Sequence, residues 1–296
     1  MGQTLLKETA EIQMVKNLTN FKKKPILLFF LVTLALFFLL TLLTRFNIIS
    51  PQTVPLIPTV STIPSVGNSV SPNKAPAKIL NLSNWKLTLP IGPAKDAVEI
   101  KQPQLANFQE VPLYYSSSDG IAVIFRAPVN GATTENSEYP RSELREMTGN
   151  GQTEANWNTS SGIHTMTVEE AILAVPKTKK QLVSAQIHDA DDDVIVIRLD
   201  YPKLYVNVNG ENKKVLDPSY QLGKRFTVKF EVEGDKTHVY YNGSLTPSYT
   251  LSEAYLGAYF KAGAYTQSNC TKEAVTACNQ DNFGEVAIYK IEAFHK

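Results

Sequence analysis

Short apolar runs with a period of two residues most constrain the fold of this chain. In Phe226-Thr-Val-Lys-Phe-Glu-Val-Glu233 apolar and polar side chains alternate strictly, as they do in a β-strand with one buried and one solvated face. Similar runs occupy residues 121–127, 203–209, 236–241 and 284–294. Turn residues separate them at intervals typical of a sandwich or barrel, and no helical periodicity of comparable length follows residue 79. The sequence therefore predicts an all-β domain of two antiparallel sheets packed face to face.

Asparagine-glycine pairs follow two of these runs. They stand at Asn209-Gly210 and at Asn242-Gly243. Both residue types tolerate the positive φ that a two-residue hairpin turn needs, so each pair predicts a hairpin.

The N-terminal part of the chain has a different character. Residues 26–43 are apolar or threonine and carry no charge, and 18 residues is near the lower limit for a helix that spans a bilayer. The four lysines nearest before the segment and the one arginine close after it are Lys16, Lys22, Lys23, Lys24 and Arg45. This asymmetry predicts a signal anchor with residues 1–25 in the cytoplasm and the rest outside. A cleaved signal peptide, which would give a secreted protein, is the alternative.

A proline-rich linker is predicted between the anchor and the β domain. Residues 44–78 contain six prolines among Ser, Thr, Val and Asn, and they offer too little large apolar surface to form a core. The β domain then occupies residues 79–296, a usual size for one all-β domain. We expect this domain to be monomeric.

Charge and cysteine content narrow the function. Lys and Arg number 29 against 28 Asp and Glu, so the formal net charge of +1 gives no general attraction to nucleic acid. Cys270 and Cys278, eight positions apart, match neither a CxxC redox pair nor a four-ligand zinc site. Outside the cytoplasm they would close a small loop, whereas in a reducing cytosol they would stay thiols.

Three stretches place polar side chains on one face of a strand. They are Arg141-Ser-Glu-Leu-Arg145, Gln186-Ile-His188 and Tyr259-Phe-Lys-Ala-Gly-Ala-Tyr265. Alone, each has a structural explanation: a salt-bridged strand face, a hydrogen-bonded histidine, or an aromatic strand beside a paired lysine. If the three strands are neighbours in one sheet, their polar faces form one concave surface suited to an acidic, hydroxyl-rich ligand.

These stretches resemble the signature blocks of polysaccharide lyase family 7, the alginate lyases. The family blocks are Arg-(Ser/Thr)-Glu-Leu-Arg, Gln-(Ile/Val)-His and Tyr-(Phe/Tyr)-Lys-Ala-Gly-x-Tyr-x-Gln, and here all three occur in the family's order, the last ending at Gln267. The resemblance covers residues 79–296 and includes Asn84-Trp-Lys-Leu-Thr-Leu-Pro90. It implies a concanavalin-like β-jelly-roll and a lyase that cleaves alginate, an anionic polysaccharide, with no metal or cofactor.

The resemblance also implies roles for individual residues. Such a lyase removes the C5 proton beside a carboxylate and expels the 4-O-glycosidic oxygen. Arg141 and Gln186 would neutralise the carboxylate, His188 would act as base, and Tyr265 would protonate the leaving oxygen or also act as base. The implied substrate-binding residues, which contact sugars or fix the reacting groups, are Glu143, Arg145, Tyr259, Lys261 and Gln267.

Two finer expectations concern single residues. In this family Ile in Gln-x-His tends to accompany action on guluronate, so Ile187 favours guluronate-containing or mixed stretches. Independently of Ile187, the enzyme is expected to be endo-acting. Gly263 would leave room for a sugar ring between Lys261 and Tyr265, so Gly263→Val is expected to abolish turnover while the fold remains largely intact.

Alternatives stay open at this stage. A carbohydrate-binding module could share this sandwich, and a lyase could act on another polyuronate such as glucuronan. Four aspartates match EF-hand ligand positions, but Val194 stands where the loop needs glycine, so we interpret the segment as a solvated acidic loop at one end of the cleft. These aspartates are Asp189, Asp191, Asp193 and Asp200.

Overall fold

The structure is a computed structural model that describes residues 74–296, and these residues form two antiparallel β-sheets packed face to face. The predicted all-β sandwich is confirmed. In the described range no helix is long and apolar enough to cross a membrane. The predicted anchor at 26–43 and the cytoplasmic segment 1–25 lie outside the described residues, as does most of the linker 44–78.

The strands are numbered in chain order. They are β1 Trp85–Thr88, β2 Glu99–Ile100, β3 Tyr114–Ser116, β4 Val123–Pro128, β5 Arg141–Thr148, β6 Thr153–Glu154, β7 Ile163–Ala174, β8 Gln181–His188, β9 Asp193–Asp200, β10 Lys203–Val208, β11 Glu211–Asp217, β12 Phe226–Glu233, β13 Lys236–Tyr241, β14 Tyr249–Ser252, β15 Tyr259–Thr266 and β16 Phe283–His295. Short 3-10 helices span Pro76–Lys78, Gln104–Asn107 and Val275–Ala277.

Spatial order differs from chain order in both sheets. One sheet, here the front sheet, runs β11-β10-β9-β8-β15-β5-β1-β2, with β6 beside β5. The back sheet runs β14-β13-β12-β7-β16-β4-β3. Neighbouring strands such as β8, β15 and β5 are therefore distant in sequence, and only the tertiary fold brings them together.

Alternating side chains build the core between the sheets. In β12 the residues Phe226, Val228, Phe230 and Val232 are buried, while the polar residues between them are partly exposed, as predicted. The front sheet contributes Leu144, Ile187, Phe260 and Ala262, all fully buried. Burial of this apolar surface is the main stabilising contribution to the sandwich.

The turns agree with the sequence prediction only in part. Asn209-Gly210, with φ of 49° and 81°, joins β10 to β11 in the predicted hairpin. Asn242-Gly243 also has positive φ, and the predicted hairpin forms, because β13 pairs antiparallel with β14; its connection is longer than a two-residue turn, since β14 begins only at Tyr249. The Asn242 side chain accepts a hydrogen bond from the Thr227 amide at 3.0 Å, which ties the turn to β12.

The N-terminal edge and the cysteine loop are both fixed to the sandwich. Pro76, which the sequence placed in the linker, is buried, so the folded domain begins slightly before residue 79. Cys270 and Cys278 form a disulfide in the loop between β15 and β16. Glu273 holds the same loop by accepting hydrogen bonds from Ser268 Oγ and from the amides of Thr178 and Lys179.

A buried carboxyl between the sheets gives a stability prediction. Glu170 on β7 is fully buried and accepts a hydrogen bond from Ser184 Oγ at 2.7 Å. Burial raises the pKa of Glu170 from its ordinary 4.5 to about 8. Between these values the folded state binds more protons than the unfolded state, so the free energy of unfolding falls as pH rises through this window, by at most about 1.4 kcal/mol per pH unit.

Glu170→Gln should remove this dependence, because the amide has nearly the same shape and does not titrate. Chemical denaturation across the window should give a flatter dependence of unfolding free energy on pH than in the parent. The control is Glu169→Gln, since Glu169 is partly exposed beside Arg225. An unchanged slope in Glu170→Gln would contradict the assignment.

Candidate active site

Strand β15 lies between β5 and β8, so the three predicted polar stretches are neighbours in the front sheet. The facing pairs are Tyr265 with Arg141, Gly263 with Glu143, Lys261 with both Arg145 and Gln186, and Tyr259 with His188. The side chains meet because the strands pair in this register and residues of equal parity share a face. The prediction of one shared surface is confirmed.

A cleft of about 310 Å³ opens on this surface. The predicted residues that line it are Arg141, Arg145, Gln186, His188, Tyr259, Lys261 and Tyr265. Sequence reasoning missed others, chiefly Lys86, Thr88, Glu99, Asn136 and Ser137. The alternation of Lys86 and Thr88 within β1 could have identified these two residues. No sequence pattern identifies the loop residues Asn136 and Ser137.

Glu143 lies beneath the floor of the cleft, with no exposed surface. Its carboxylate accepts hydrogen bonds from Arg141 Nη1 at 3.0 Å, Lys261 Nζ at 2.9 Å and Gln186 Nε2 at 2.5 Å. Burial disfavours the charged form, but the cations of Lys261 and Arg141 outweigh it and hold the pKa of Glu143 below its ordinary value. Glu143 therefore fixes three cleft residues from below.

Two of the predicted substrate-binding residues are not placed as sugar contacts. Glu143 is fully buried and hydrogen-bonded to its neighbours. It therefore fixes other side chains of the site and does not contact a sugar. Gln267 follows the end of β15 and is not among the residues that line the cleft. Gln267 was expected at the site only through the family resemblance, and it lies just beyond Thr266, where β15 ends.

Lys261 is the cation whose charge is most sensitive to pH. Burial and the nearby Arg141 guanidinium lower the pKa of Lys261 to about 8, against the opposing effect of Glu143. Lys261 is therefore charged at neutral pH and loses its charge as pH rises through about 8. The floor then carries two cations against one carboxylate, a net positive charge that suits a uronate.

His188 is held with a defined proton position. Its Nδ1 lies 2.8 Å from the backbone oxygen of Asp189, and because a carbonyl can only accept, Nδ1 carries the proton in the neutral ring. Burial, followed by the charges of Lys261 and Arg141, lowers the pKa of His188 from its ordinary 6.5. His188 is therefore neutral at neutral pH, with the lone pair of Nε2 free to take a proton.

Aromatic rings order the remaining side chains. The Arg141 guanidinium lies 3.8 Å from the centroid of the Tyr265 ring, and the Arg145 guanidinium lies 3.8 Å from that of Tyr259. The Tyr259 ring also stacks on His188 at 5.1 Å between centroids, with 14° between the planes. Cation-π contact and stacking restrict these rotamers, so the cleft is preorganised.

The acidic segment forms a tight turn at the β9 end of the cleft. Asp189 Oδ1 accepts hydrogen bonds from the amides of Asp191 and Asp192, at 2.8 and 2.9 Å. Asp191, Asp192 and Asp193 line the cleft. Across residues 74–296 no group of three or more His, Cys, Asp or Glu side chains is placed to hold a metal ion. The turn therefore places acidic side chains at one end of the cleft, beyond the positively charged floor.

The expectation for Gly263 is wrong. Gly263 has φ of +146°, at a register shift between β15 and β8, and an added Cβ would lie 2.5 Å from the Ser142 carbonyl oxygen and 2.8 Å from Glu143 Cα. The glycine is needed because the β5 backbone approaches it closely, and the space a side chain would fill belongs to the sheet.

Gly263→Ala should consequently lower the free energy of unfolding, by about 2–5 kcal/mol from strain and overpacking together. Gly243→Ala is the matched control, since Gly243 also has positive φ, +70°, but has no heavy atom within 4 Å of its added Cβ. Thermal denaturation of the two variants separates the two contributions, because Gly243→Ala adds only backbone strain whereas Gly263→Ala also makes the new Cβ collide with β5. Equal stability losses would contradict the close-approach explanation.

A second cavity of about 390 Å³ lies near the end of β16 and is lined by Trp85, Glu146, Met147, Ile291 and His295 among others. Two of its titratable groups, Glu146 and His295, are hydrogen-bonded to each other, and two others, Lys290 and Glu292, form an ion pair. It contains none of the predicted site residues. The smaller cleft on the front sheet is therefore the candidate active site.

Comparison with known proteins gives a consistent assignment. The model of the alginate lyase family matches residues 80–295. An alginate lyase of Klebsiella pneumoniae is 27% identical in an alignment that covers 75% of this chain and 91% of that protein. The solved alginate lyase from Corynebacterium sp. is 45% identical, with a TM-score of 0.73 over 76% of this chain and 100% of that one.

Two further solved structures are informative. An alginate lyase from polysaccharide lyase family 7 is 47% identical, with a TM-score of 0.71, and covers 75% of this chain and 99% of its own. A variant of the family 7 alginate lyase A1-II', solved in complex with the substrate GGMG, is 26% identical, with a TM-score of 0.63 over 76% of this chain and 98% of that one.

Proposed function

Since the chain belongs to the alginate lyase family and is thus a polysaccharide lyase, we propose that it cleaves alginate by β-elimination at the 4-O-glycosidic bond. Cleavage is within the polymer, and guluronate-containing stretches are preferred. The observation that supports the proposal most is that His188, whose Nδ1 is bound to the Asp189 carbonyl and whose Nε2 can therefore accept a proton, lines the same cleft as Arg141 and Tyr265. A carbohydrate-binding module can bind a uronate through an arginine, but it has no use for a base and an acid beside it.

Carboxylate recognition is supported by polar atoms that have no partner within the protein. Among residues 74–296 they include Arg141 Nε, Arg145 Nη1 and Gln186 Oε1, buried atoms of residues that line the cleft. Buried donors and acceptors are costly to leave unpaired. A uronate supplies both kinds of partner, because its carboxylate accepts from arginine and its hydroxyls donate to an amide oxygen.

The elimination itself needs stabilisation of charge. Removal of the C5 proton spreads negative charge onto the sugar carboxylate, where Arg141 and the second hydrogen of Gln186 Nε2 can meet it. The first hydrogen of that amide already binds Glu143, which fixes its direction. His188 takes the C5 proton, the electrons of the C5–H bond form a double bond between C4 and C5, and the C4–O bond breaks as Tyr265 gives its proton to the departing oxygen.

Attack within the polymer is supported by the extent of the cleft. Its lining residues come from six neighbouring strands, β9, β8, β15, β5, β1 and β2. Five strand spacings correspond to roughly 24 Å. A groove of that length holds several sugar residues, which suits an endo-acting enzyme.

The guluronate preference rests on Ile187 by family resemblance. Ile187 is fully buried beneath the cleft, so it influences sugars only through Gln186 and His188 on either side. The test is activity on block-defined alginates and on glucuronan, with product size measured early in the reaction. Fast cleavage of polyguluronate to a range of oligomers is expected. Preference for polymannuronate would refute the guluronate preference, and preference for glucuronan would refute alginate as the substrate. Release of single terminal units would refute endo attack.

The proposal extends to location. Residues 26–43 would anchor the protein in a membrane with the catalytic domain outside, and the Cys270–Cys278 disulfide is consistent with an oxidising compartment. A fusion reporter inserted after Lys78 tests the orientation. Activity of a reporter that works only outside the cytoplasm is expected, and activity of a cytoplasmic reporter would reverse the assignment.

A further inference from the structure

Ser137 contacts the hydroxyl of Tyr265, and nothing in the sequence motifs points to it. Ser137 belongs to the loop before β5 and is 6% exposed. Its Oγ lies 3.0 Å from Tyr265 Oη. The same Oγ lies 3.1 Å from the backbone oxygen of Tyr139 and 3.1 Å from the amide nitrogen of Tyr139.

The direction of these hydrogen bonds follows from the groups involved. A serine hydroxyl has one proton and two acceptor positions. The Tyr139 carbonyl can only accept, so it receives the Ser137 proton, and the Tyr139 amide can only donate, so it fills one acceptor position. The second acceptor position then receives the proton of Tyr265. In the resting enzyme the phenol therefore donates to Ser137, and all three positions of the hydroxyl are used.

On this basis, and resting on the proposed β-elimination, we propose that Ser137 is a positioning residue that stabilises the tyrosinate formed when Tyr265 gives up its proton. As the C4–O bond breaks, its electron pair stays with the leaving oxygen and the Tyr265 proton moves to that oxygen. The Ser137 O–H then turns from the Tyr139 carbonyl to the tyrosinate oxygen. Solvent later returns a proton to Tyr265 and takes the C5 proton from His188, so the proton balance closes.

The loop that carries Ser137 is held in place by three other segments. Lys95 Nζ donates to the Ser137 carbonyl at 2.6 Å, and Asn269 Nδ2, next to the disulfide, donates to the Glu138 carbonyl at 3.1 Å. Lys179 Nζ donates to Tyr139 Oη at 3.1 Å. With its backbone fixed in this way, the Ser137 hydroxyl need only rotate to change partner, which avoids reorganisation during the reaction.

The test is steady-state kinetics on alginate with Ser137→Ala and Ser137→Thr in the full chain. A hydrogen bond to a charged group is worth about 1.5–3 kcal/mol, so Ser137→Ala should lower kcat by about 10–100-fold and leave KM nearly unchanged. Ser137→Thr keeps the hydroxyl and should restore most of kcat. Ser244→Ala removes a hydroxyl that binds a backbone carbonyl in an exposed turn, and serves as the control with unchanged kcat.

A double variant distinguishes positioning from a general structural effect. In the Tyr265→Phe background Ser137→Ala should not lower the residual rate further, because its only catalytic partner is gone. Should Ser137→Ala be unstable, Ser137→Cys keeps the volume with a poor donor and should lower kcat likewise. Unchanged kcat in Ser137→Ala, or an equal further loss in the Tyr265→Phe background, would overturn the inference while the parent stays active. An inactive parent would instead refute the proposed function.

Discussion

Replacing His188 with glutamine is expected to lower kcat on alginate by about 10²–10⁴-fold, the usual contribution of a general base. Glutamine keeps a polar side chain of similar reach but cannot accept a proton at working pH. KM should change little, because in the proposed mechanism Arg141 and Gln186, not His188, bind the substrate carboxylate. Initial rates over a range of alginate concentrations separate the two parameters.

The matched control is His238→Gln. His238 lies on β13 of the back sheet and binds Thr250 Oγ1 at 2.8 Å, far in the topology from the cleft strands. Its replacement should leave kcat unchanged. If His188→Gln retained the parent kcat, another group would have to be the base.

The lowered pKa of His188 also predicts how the activity depends on pH on the acidic side of the pH profile. Burial and the cations of Lys261 and Arg141 favour the neutral ring, so the base stays competent at a pH where an exposed histidine is already protonated. The apparent pKa of the acidic limb of kcat/KM should therefore fall below 6.5. Lys261→Met should move it upward, since one of the repelling charges is removed.

Glu143→Gln should be the most destabilising single change in the site. It leaves Arg141 and Lys261 buried without a counter-charge, and loss of one partner from a buried ion pair costs about 3–5 kcal/mol. Activity should fall as well, because Gln186 and Arg141 lose the group that orients them. Chemical denaturation and kinetics on the same preparation measure both effects.

The sign of the pH dependence provides a second check on Glu143. The pKa of Glu143 is lower in the folded protein than in the unfolded chain, so the ionised carboxylate stabilises the fold at neutral pH. This stabilisation is lost as pH falls below the ordinary pKa of a glutamate towards its pKa in the folded protein. The stability gap between parent and Glu143→Gln should narrow in that range. Glu154→Gln, at a side chain 54% exposed beside Lys86 and Arg145, is the control and should cost only about 0–1 kcal/mol. Similar losses in both variants would contradict the account.

The sequence predicted the strands well where one face is buried and the other solvated. In β12 the alternation alone identifies every buried residue, because burial of one face is the dominant energetic contribution there. Polar faces of β5, β8 and β15 were likewise visible from the repeat of two. That these strands are neighbours was confirmed only by the fold, since pairing between distant segments depends on tertiary contacts.

What the sequence missed has local physical causes. The space around Gly263 depends on the approach of the β5 backbone at a register shift, which no periodicity encodes. Ser137 sits in a loop whose shape is set by hydrogen bonds from Lys95 and Asn269, residues far away in the chain. Glu143 shared a face with Arg141, but its depth below the cleft depends on packing between neighbouring side chains.

The most direct test of the central claim is to follow new double bonds and new reducing ends together as the purified protein acts on alginate. β-Elimination predicts that ultraviolet absorbance of the unsaturated sugar rises with one double bond per new reducing end, and that both signals are lost in His188→Gln. New reducing ends without the absorbance would indicate hydrolysis. Binding of alginate with neither signal would identify a carbohydrate-binding module and contradict the account.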